Sequence, residues 1–244
     1  MKQAFKQMFG TGYKVRFRLP VPDCRRALVI APHPDDETLG CGATIHMMNN
    51  ANCQVSVVLM TDGKDAGPDG DDSKKRLNEF SNATEALGCT DSILLGFPDG
   101  KLGLHISEAV SQLSEILKKQ QPEIIFTPYV LDFNPDHRYS DLILSKSISD
   151  LKKVHIAMYE VWTPIVYPDC YINVSGGYAA KTSAIKCYES QEAIYSLREK
   201  SRVLNDLRAT LIARKNVEYI EAFKTMEKDD FLGIIKMMEH NGMF

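Results

Sequence analysis

"RRALVIAPHPDDETLG", residues 25–40, decides how the rest of the chain is read. Its first half is an apolar run closed by a proline, the pattern of a strand buried on both faces. Its second half sets His33 and three successive acids, Asp35, Asp36 and Glu37, where that strand ends. A strand covered on both faces belongs to a parallel sheet packed between helices, and such sheets bind ligands beyond the carboxyl ends of their strands. The acids therefore stand where a crevice is expected.

Working outward, the same alternation repeats. "CQVSVVLMT" (53–61), "DSILLGFPDG" (91–100), "PEIIFTPY" (122–129) and "KVHIAMYEVW" (153–162) read as further strands. Between them lie helical patterns at about 38–49, at 74–88 with a stripe of Leu77, Phe80, Ala83 and Leu87, at 105–121 with Ile106, Val110, Leu113 and Leu117 on one face, and at 140–151. From about residue 178 the chain reads as mainly helical and charged. Strands alternating with helices predict an α/β fold: a Rossmann-like three-layer sandwich, its central sheet mostly parallel, with helices on both faces. The expected organisation is one domain over 1–244, with a leader at 1–26 and the helical part at 178–244 belonging to the same unit. The polar clusters "HPDDE" (33–37), "TDG" (61–63), "GFPDG" (96–100) and "DFNPDHR" (132–138) each follow a strand, so all four should share one sheet edge.

Composition narrows the class. The chain has 244 residues, 44% hydrophobic and 25% charged, with a formal net charge of −3. That balance carries no basic footprint for nucleic acid. No apolar run is long enough to span a bilayer, and the leader "MKQAFKQMFGTGYKVRFRLP" (1–20) lacks the apolar core of a secretion signal. Its Phe5, Met8, Phe9 and Tyr13 are expected to strap over the core. Six cysteines, none in a C-x-x-C pair, read as reduced thiols of a cytoplasmic protein. The oligomeric state is left open, a homo-oligomer included.

The chemistry lies in the crevice clusters. His33 and Asp36, three apart, can bring an imidazole nitrogen and a carboxylate oxygen onto one cation, and His137 can approach from the neighbouring loop. Two histidines, one carboxylate and an open position make up a catalytic zinc site, although Fe(II), Co(II) or Mn(II) would suit the same donors. Asp35 would then point away from the cation and carry a proton to and from the reacting groups. The competing reading is plainer: Asp36 or Glu37 caps the following helix, and each histidine is an ordinary loop residue. "GCGAT" (40–44) lacks the third glycine and the acid of a dinucleotide-binding loop.

"PHPDDETLGCGATI" resembles the signature of the LmbE-like, or PIG-L, family of zinc-dependent N-deacetylases. An "HPDDE" arises by chance in roughly one chain of this length in ten thousand. Further matches are "TDG", "RLNEFSNATEALG" (76–88), "LGFPDG", "NPDHR" and "KTSAIKCYESQ" (181–191). The resemblance implies His33, Asp36 and His137 as ligands of one Zn²⁺ and Asp35 as general base. It also implies Arg76 and Asp99 as contacts to sugar hydroxyls. The substrate class it implies is an N-acetylated amino sugar, usually the glucosamine unit of a glycan, glycolipid or glycoside intermediate of carbohydrate biosynthesis.

One departure stands out: the family's second motif often reads H-P-D-H, whereas this chain has Asn134 in "NPDH". Asn134 can donate to an oxyanion but cannot carry a proton near neutral pH. Asp35 is then expected to serve as both base and acid, and Asp136 to fix the loop or His137 from behind. Two other readings stay open: a zinc amidase acting on a different amide conjugate, and a catalytically silent carbohydrate-binding module. Specificity is expected in the loop at 64–73, around 162–167 and in the helical C-terminal part.

Overall fold

Strand β2 (Arg26–Ala31) lies inside the sheet, hydrogen-bonded to parallel neighbours on both sides. The structure, a computed structural model, describes residues 16–18, 23–64 and 73–244. Its other strands are β1 (Arg16–Arg18), β3 (Gln54–Thr61), β4 (Asp91–Phe97), β5 (Ile124–Pro128), β6 (His155–Tyr159), β7 (Cys170–Asn173) and β8 (Ile220–Glu227). They form one sheet in the order β1-β7-β8-β6-β5-β2-β3-β4. Only β8 runs against its neighbours, pairing antiparallel with both β6 and β7. The run β4-β3-β2-β5-β6 places a topological switch between β2 and β5, where chain connections diverge and a crevice opens.

Burial follows the pleat. Ala27, Val29 and Ala31 of β2 pack on one side of the sheet, with residues of helices α1 (Asp36–Asn50), α2 (Ser73–Ala86) and α5 (Tyr178–Ile185). Leu28 and Ile30 pack on the other, with α3 (Ile106–Gln120), α4 (Pro135–Ser147) and α8 (Lys228–His240). Successive side chains point to opposite faces, so a strand sandwiched between two helical layers must be apolar throughout. The fold is the expected Rossmann-like three-layer α/β sandwich. Helices α6 (Glu189–Tyr195) and α7 (Leu197–Ile212) complete the α-helices of the described residues.

Four expectations need correction or limits. The C-terminal part, read as mainly helical, contributes β8 to the sheet. Its polar positions disguised it: Glu221 is buried but paired with Lys181 (Nζ to Oε1, 2.7 Å). Strand β7 was not anticipated either, having only four residues. Helix α4 begins at Pro135 rather than near residue 140, which moves His137 from a loop into a helical turn. Most of the leader, with its four aromatic and methionine positions, and most of the loop at 64–73 lie outside the described residues. The six cysteines are free thiols.

Helix α1 carries the acids and is bent. Cys41 leaves helical geometry (φ −146°, ψ 22°), and the amides of Ala43 and Thr44 beyond it donate to Glu221 at 3.1 and 2.9 Å. On the other side of the bend, Leu39 O accepts from Lys181 Nζ at 2.7 Å. The buried ion pair thus satisfies backbone groups that the kink would leave unpaired, on both sides of it. Gly40 passes across Tyr159: a Cβ there would stand 2.0 Å from the Tyr159 ring. Glycine is required by this close approach, and Tyr159 in turn donates to Ile30 O at 2.6 Å.

Candidate active site

The carboxyl ends of β2, β3, β4 and β5 deliver His33, Asp62, Asp99 and Asp132 to one edge of the sheet, as the loop pattern predicted. Beyond β5, Asn134 caps α4 by accepting from the Asp136 amide at 2.9 Å, and Pro135 occupies the first turn, where its missing N–H costs nothing. This capped turn swings His137 over the end of β2. Across the switch point His33 Nδ1, Asp36 Oδ2 and His137 Nε2 then converge. His33 Nδ1 is 3.2 Å from Asp36 Oδ2, which is 3.1 Å from His137 Nε2, and the two ring nitrogens are 3.3 Å apart. Donors about 2.0–2.1 Å from a tetrahedrally held ion stand about 3.3 Å from one another. Asp36 Oδ1, the other oxygen of the same carboxylate, is fully buried without a hydrogen-bond partner, so this acid is not fully satisfied by protein groups. The donor set fits a divalent transition metal.

Electrostatics agree with that geometry. Burial opposes charge on His137, but Asp36 and Asp132 outweigh it and push the imidazole up to about 9. His33 is likewise raised well above its usual value: burial opposes this, and Asp136, Asp36 and Asp99 prevail. Asp36 is driven far below the carboxylate range, because the two histidines overcome its burial. The acidic surroundings that raise both imidazoles suit a positively charged occupant of the same place.

Each donor is held from behind. His137 Nδ1 faces Asp132 Oδ1 at 3.4 Å, and His33 Nε2 faces Asp99 Oδ1 at 3.1 Å and Asp136 Oδ2 at 3.5 Å. Asp136 also accepts from the amides of Gly100 and Leu102 at 2.8 and 3.2 Å. It therefore fixes a loop and His33, while His137 is backed by Asp132, a residue sequence reasoning passed over inside "DFNPDHR". Asp132 Oδ1 accepts from Asn134 N, and Oδ2 from the amides of Trp162 and Thr163, at 3.0–3.1 Å. Only this tertiary role distinguishes it from the other loop acids, so no local signal could have found it.

Asp35 adopts φ 123°, a strained conformation for a side-chain-bearing residue, and does not cap α1 with its side chain. Burial and the adjacent Asp36 charge push its carboxyl up to about 8, against the pull of Arg76. Arg76 is 3% exposed, which rules out a solvated helix charge. Its guanidinium donates to Pro34 O and Gly63 O at 2.8 Å and lies 3.6 Å from both Asp35 and Asp99. Capping is only part of what the acids do: Glu37 accepts from the Asp35 amide at 3.3 Å but also turns inward to accept from Tyr188 Oη at 2.5 Å, and burial pushes it up to about 7. All eight residues singled out from sequence, His33, Asp35, Asp36, Arg76, Asp99, Asn134, Asp136 and His137, lie in or directly behind one site.

The family model described as "PIG-L: GlcNAc-PI de-N-acetylase" matches residues 28–146. Residues 28–146 are thus similar to the PIG-L family of domains. Diacetylchitobiose deacetylase of Thermococcus kodakarensis is 30% identical over 146 residues, covering 56% of this chain and 54% of the relative. The chain thus spans about half the length of that protein. A probable N-acetyl-α-D-glucosaminyl L-malate deacetylase of Bacillus cereus is 26% identical and covers 77% of this chain and 93% of its own. Among solved structures, N,N′-diacetylchitobiose deacetylase from Pyrococcus horikoshii shares the fold with a TM-score of 0.75 at 23% identity, covering 93% of each chain.

Beyond the matched segment, later elements of the chain pack against residues 28–146. Glu79 of α2 accepts from Ser190 N and Oγ of α6 at 3.0 and 2.6 Å, tying together two stretches that looked familial in sequence. Buried Gln191 reaches the cleft as a result. The cleft encloses about 340 Å³ above Asp35, and Phe133, Trp162 and Tyr195 form its outer wall. No helix among the described residues is long and apolar enough to cross a membrane.

Proposed function

We propose that this chain is a metal-dependent amidohydrolase that removes the acetyl group from an N-acetylglucosamine-type sugar, giving acetate and a free amine. The observation that carries this reading is the convergence of His33 Nδ1, Asp36 Oδ2 and His137 Nε2 within 3.3 Å, with Asp35 beside them and outside the donor set. His33, Asp36 and His137 would hold the cation, zinc by donor type. When bound, such an ion polarises an acyl oxygen and makes water acidic.

The protein's own groups account for the remaining chemistry. Asp35 accepts the proton of the attacking water and returns it to the departing amine. Its pKa is already raised by burial, which suits a group that must hold and release a proton near neutrality. Arg76 fixes Asp35 and Asp99 from the same side, so Asp99 presents a carboxylate to a sugar hydroxyl while Asp35 faces the amide. Asn134 commits its carbonyl oxygen to capping α4, which leaves its Nδ2 as donor toward the acyl oxygen as charge develops there. Buried carboxylates in a cleft with few donors favour a neutral, hydroxyl-rich ligand over an anionic one.

Acetate release by the zinc-loaded full chain from N-acetylglucosamine and N,N′-diacetylchitobiose tests this. Release is expected from wild type and lost in His137→Ala together with the bound metal. Sugar binding without acetate release by the loaded wild type would make the chain a binding module instead.

A further inference from the structure

The inner cleft is polar and accounts for an acetamido group and its ring. Its outer wall is different. Phe133, Trp162 and Tyr195 come from three separate segments, after β5, after β6 and at the end of α6, and meet at one rim. Ring centroids of Phe133 and Trp162 are 6.4 Å apart, and those of Trp162 and Tyr195 are 5.6 Å apart. Phe133 is 67% exposed and Tyr195 37% exposed, so these rings are not core residues that happen to border a cavity. Large aromatic surfaces left in water beside a site are costly unless something covers them.

The wall is also braced. Phe133 N donates to Thr163 Oγ1 at 3.0 Å, and Asp132, which backs His137, accepts from the Trp162 and Thr163 amides. The platform is therefore built on the same carboxylate that orients a member of the donor triangle. Lys200 of α7 sets its ammonium 4.2 Å from the Trp162 ring centroid and 5.0 Å from that of Tyr195. Aromatic faces interleaved with an ammonium and the Gln191 amide make an amphipathic surface. A pyranose matches it, with C–H groups for the rings and hydroxyls for the polar atoms; an alkyl chain would want an unbroken apolar groove.

We propose that this rim is a subsite for a second sugar ring, joined to the ring that carries the acetamido group, and that Phe133, Trp162 and Tyr195 determine specificity for it. The cleft, which this wall bounds, encloses about 340 Å³, near the lower limit for a ligand site, so a second ring extends from it across the exposed faces of the rim. The inner ring's identity rests on the deacetylase reading; the outer subsite rests on the wall itself.

Trp162 is the chain's sole tryptophan, so its emission reports the subsite directly. The test titrates the zinc-loaded Asp35→Asn protein with N-acetylglucosamine, N,N′-diacetylchitobiose and the octyl glycoside of N-acetylglucosamine. The disaccharide is expected to change Trp162 emission and the monosaccharide to leave it unchanged. Phe133→Ala and Tyr195→Ala are each expected to weaken disaccharide binding roughly three- to tenfold, as one lost ring contact would, and to spare the monosaccharide. In otherwise wild-type protein the same split should appear in KM for acetate release, with kcat unchanged. Equal responses to both sugars, equal losses in the variants, or tighter binding of the octyl glycoside than of the disaccharide would overturn the proposal. If the emission split holds but the loaded wild type releases no acetate from either sugar, the subsite stands and the deacetylase reading falls.

Discussion

Asp35 meets conflicting demands. Its backbone sits at φ 123°, its carboxylate is buried beside Asp36, and its amide donates to Glu37 Oε2 at 3.3 Å. Arg76, 3.6 Å away, favours an acid there, but both strain and desolvation oppose one. The general-base role proposed for it accounts for an acid at so costly a position. Asp35→Asn should therefore keep metal content at the wild-type level while turnover falls by about 10²- to 10⁴-fold, the range for losing a general base. Asp35→Gly should be equally inactive yet more stable, by about 1 kcal/mol, since glycine accepts positive φ and removes the buried carboxyl. Thermal melts of the two metal-free variants beside wild type check this; a destabilised glycine variant would show that the strain is compensated locally.

Two elements turn local sequence into site geometry. Helix α4 depends on Asn134, which both caps it and borders the cleft, so its two duties must be separated. Asn134→Asp keeps the capping oxygen and removes the Nδ2 donor. It should stay within about 0.5 kcal/mol of wild type in stability and lose turnover by no more than a few kcal/mol of barrier. Asn134→Ala should show the same kinetic loss and about 1 kcal/mol of destabilisation besides. In α1 the bend at Cys41 is held by Lys181 and Glu221, both fully buried. Lys181→Met strands Glu221 as an uncompensated charge, and unfolding measurements should show a loss of about 3–5 kcal/mol.

The same elements show what could be read beforehand. Strands β2, β3 and β5 were legible because burial on both faces forces an unbroken apolar run. Strand β8 was not, since the burial of Glu221 depends on Lys181, forty residues earlier. The site was legible where its residues follow strand ends, as His33, Asp36 and Asp99 do. The register of His137 and the backing of Asp132 emerged only with the start of α4, which the sequence pattern placed five residues late.

At the scale of the whole molecule, the sheet brings charged groups from four strand ends together along its carboxyl edge, and their protonation is bound to stability. The folded-state pKa of His137 is raised from 6.5 to about 9, so its stabilising contribution is complete below about 6.5 and is lost as pH climbs through 9; His33, raised well above 6.5, contributes with the same sign. Asp35, raised from 3.8 to about 8, adds a loss of the same sign beginning at lower pH. The metal-free protein should therefore melt at progressively lower temperature as pH rises from 6.5 to 9. A divalent cation needs both imidazoles neutral, so binding expels the protons they hold, and affinity should rise up to about tenfold per pH unit for each one displaced. The increase in melting temperature on adding zinc should consequently grow over the interval in which the metal-free protein weakens. Titration calorimetry in buffers of different ionisation enthalpy counts the protons released at pH 7. One to two are expected; a zinc affinity independent of pH between 6 and 9 would mean that the cation does not displace protons from His33 and His137, and the donor triangle would lose its assignment.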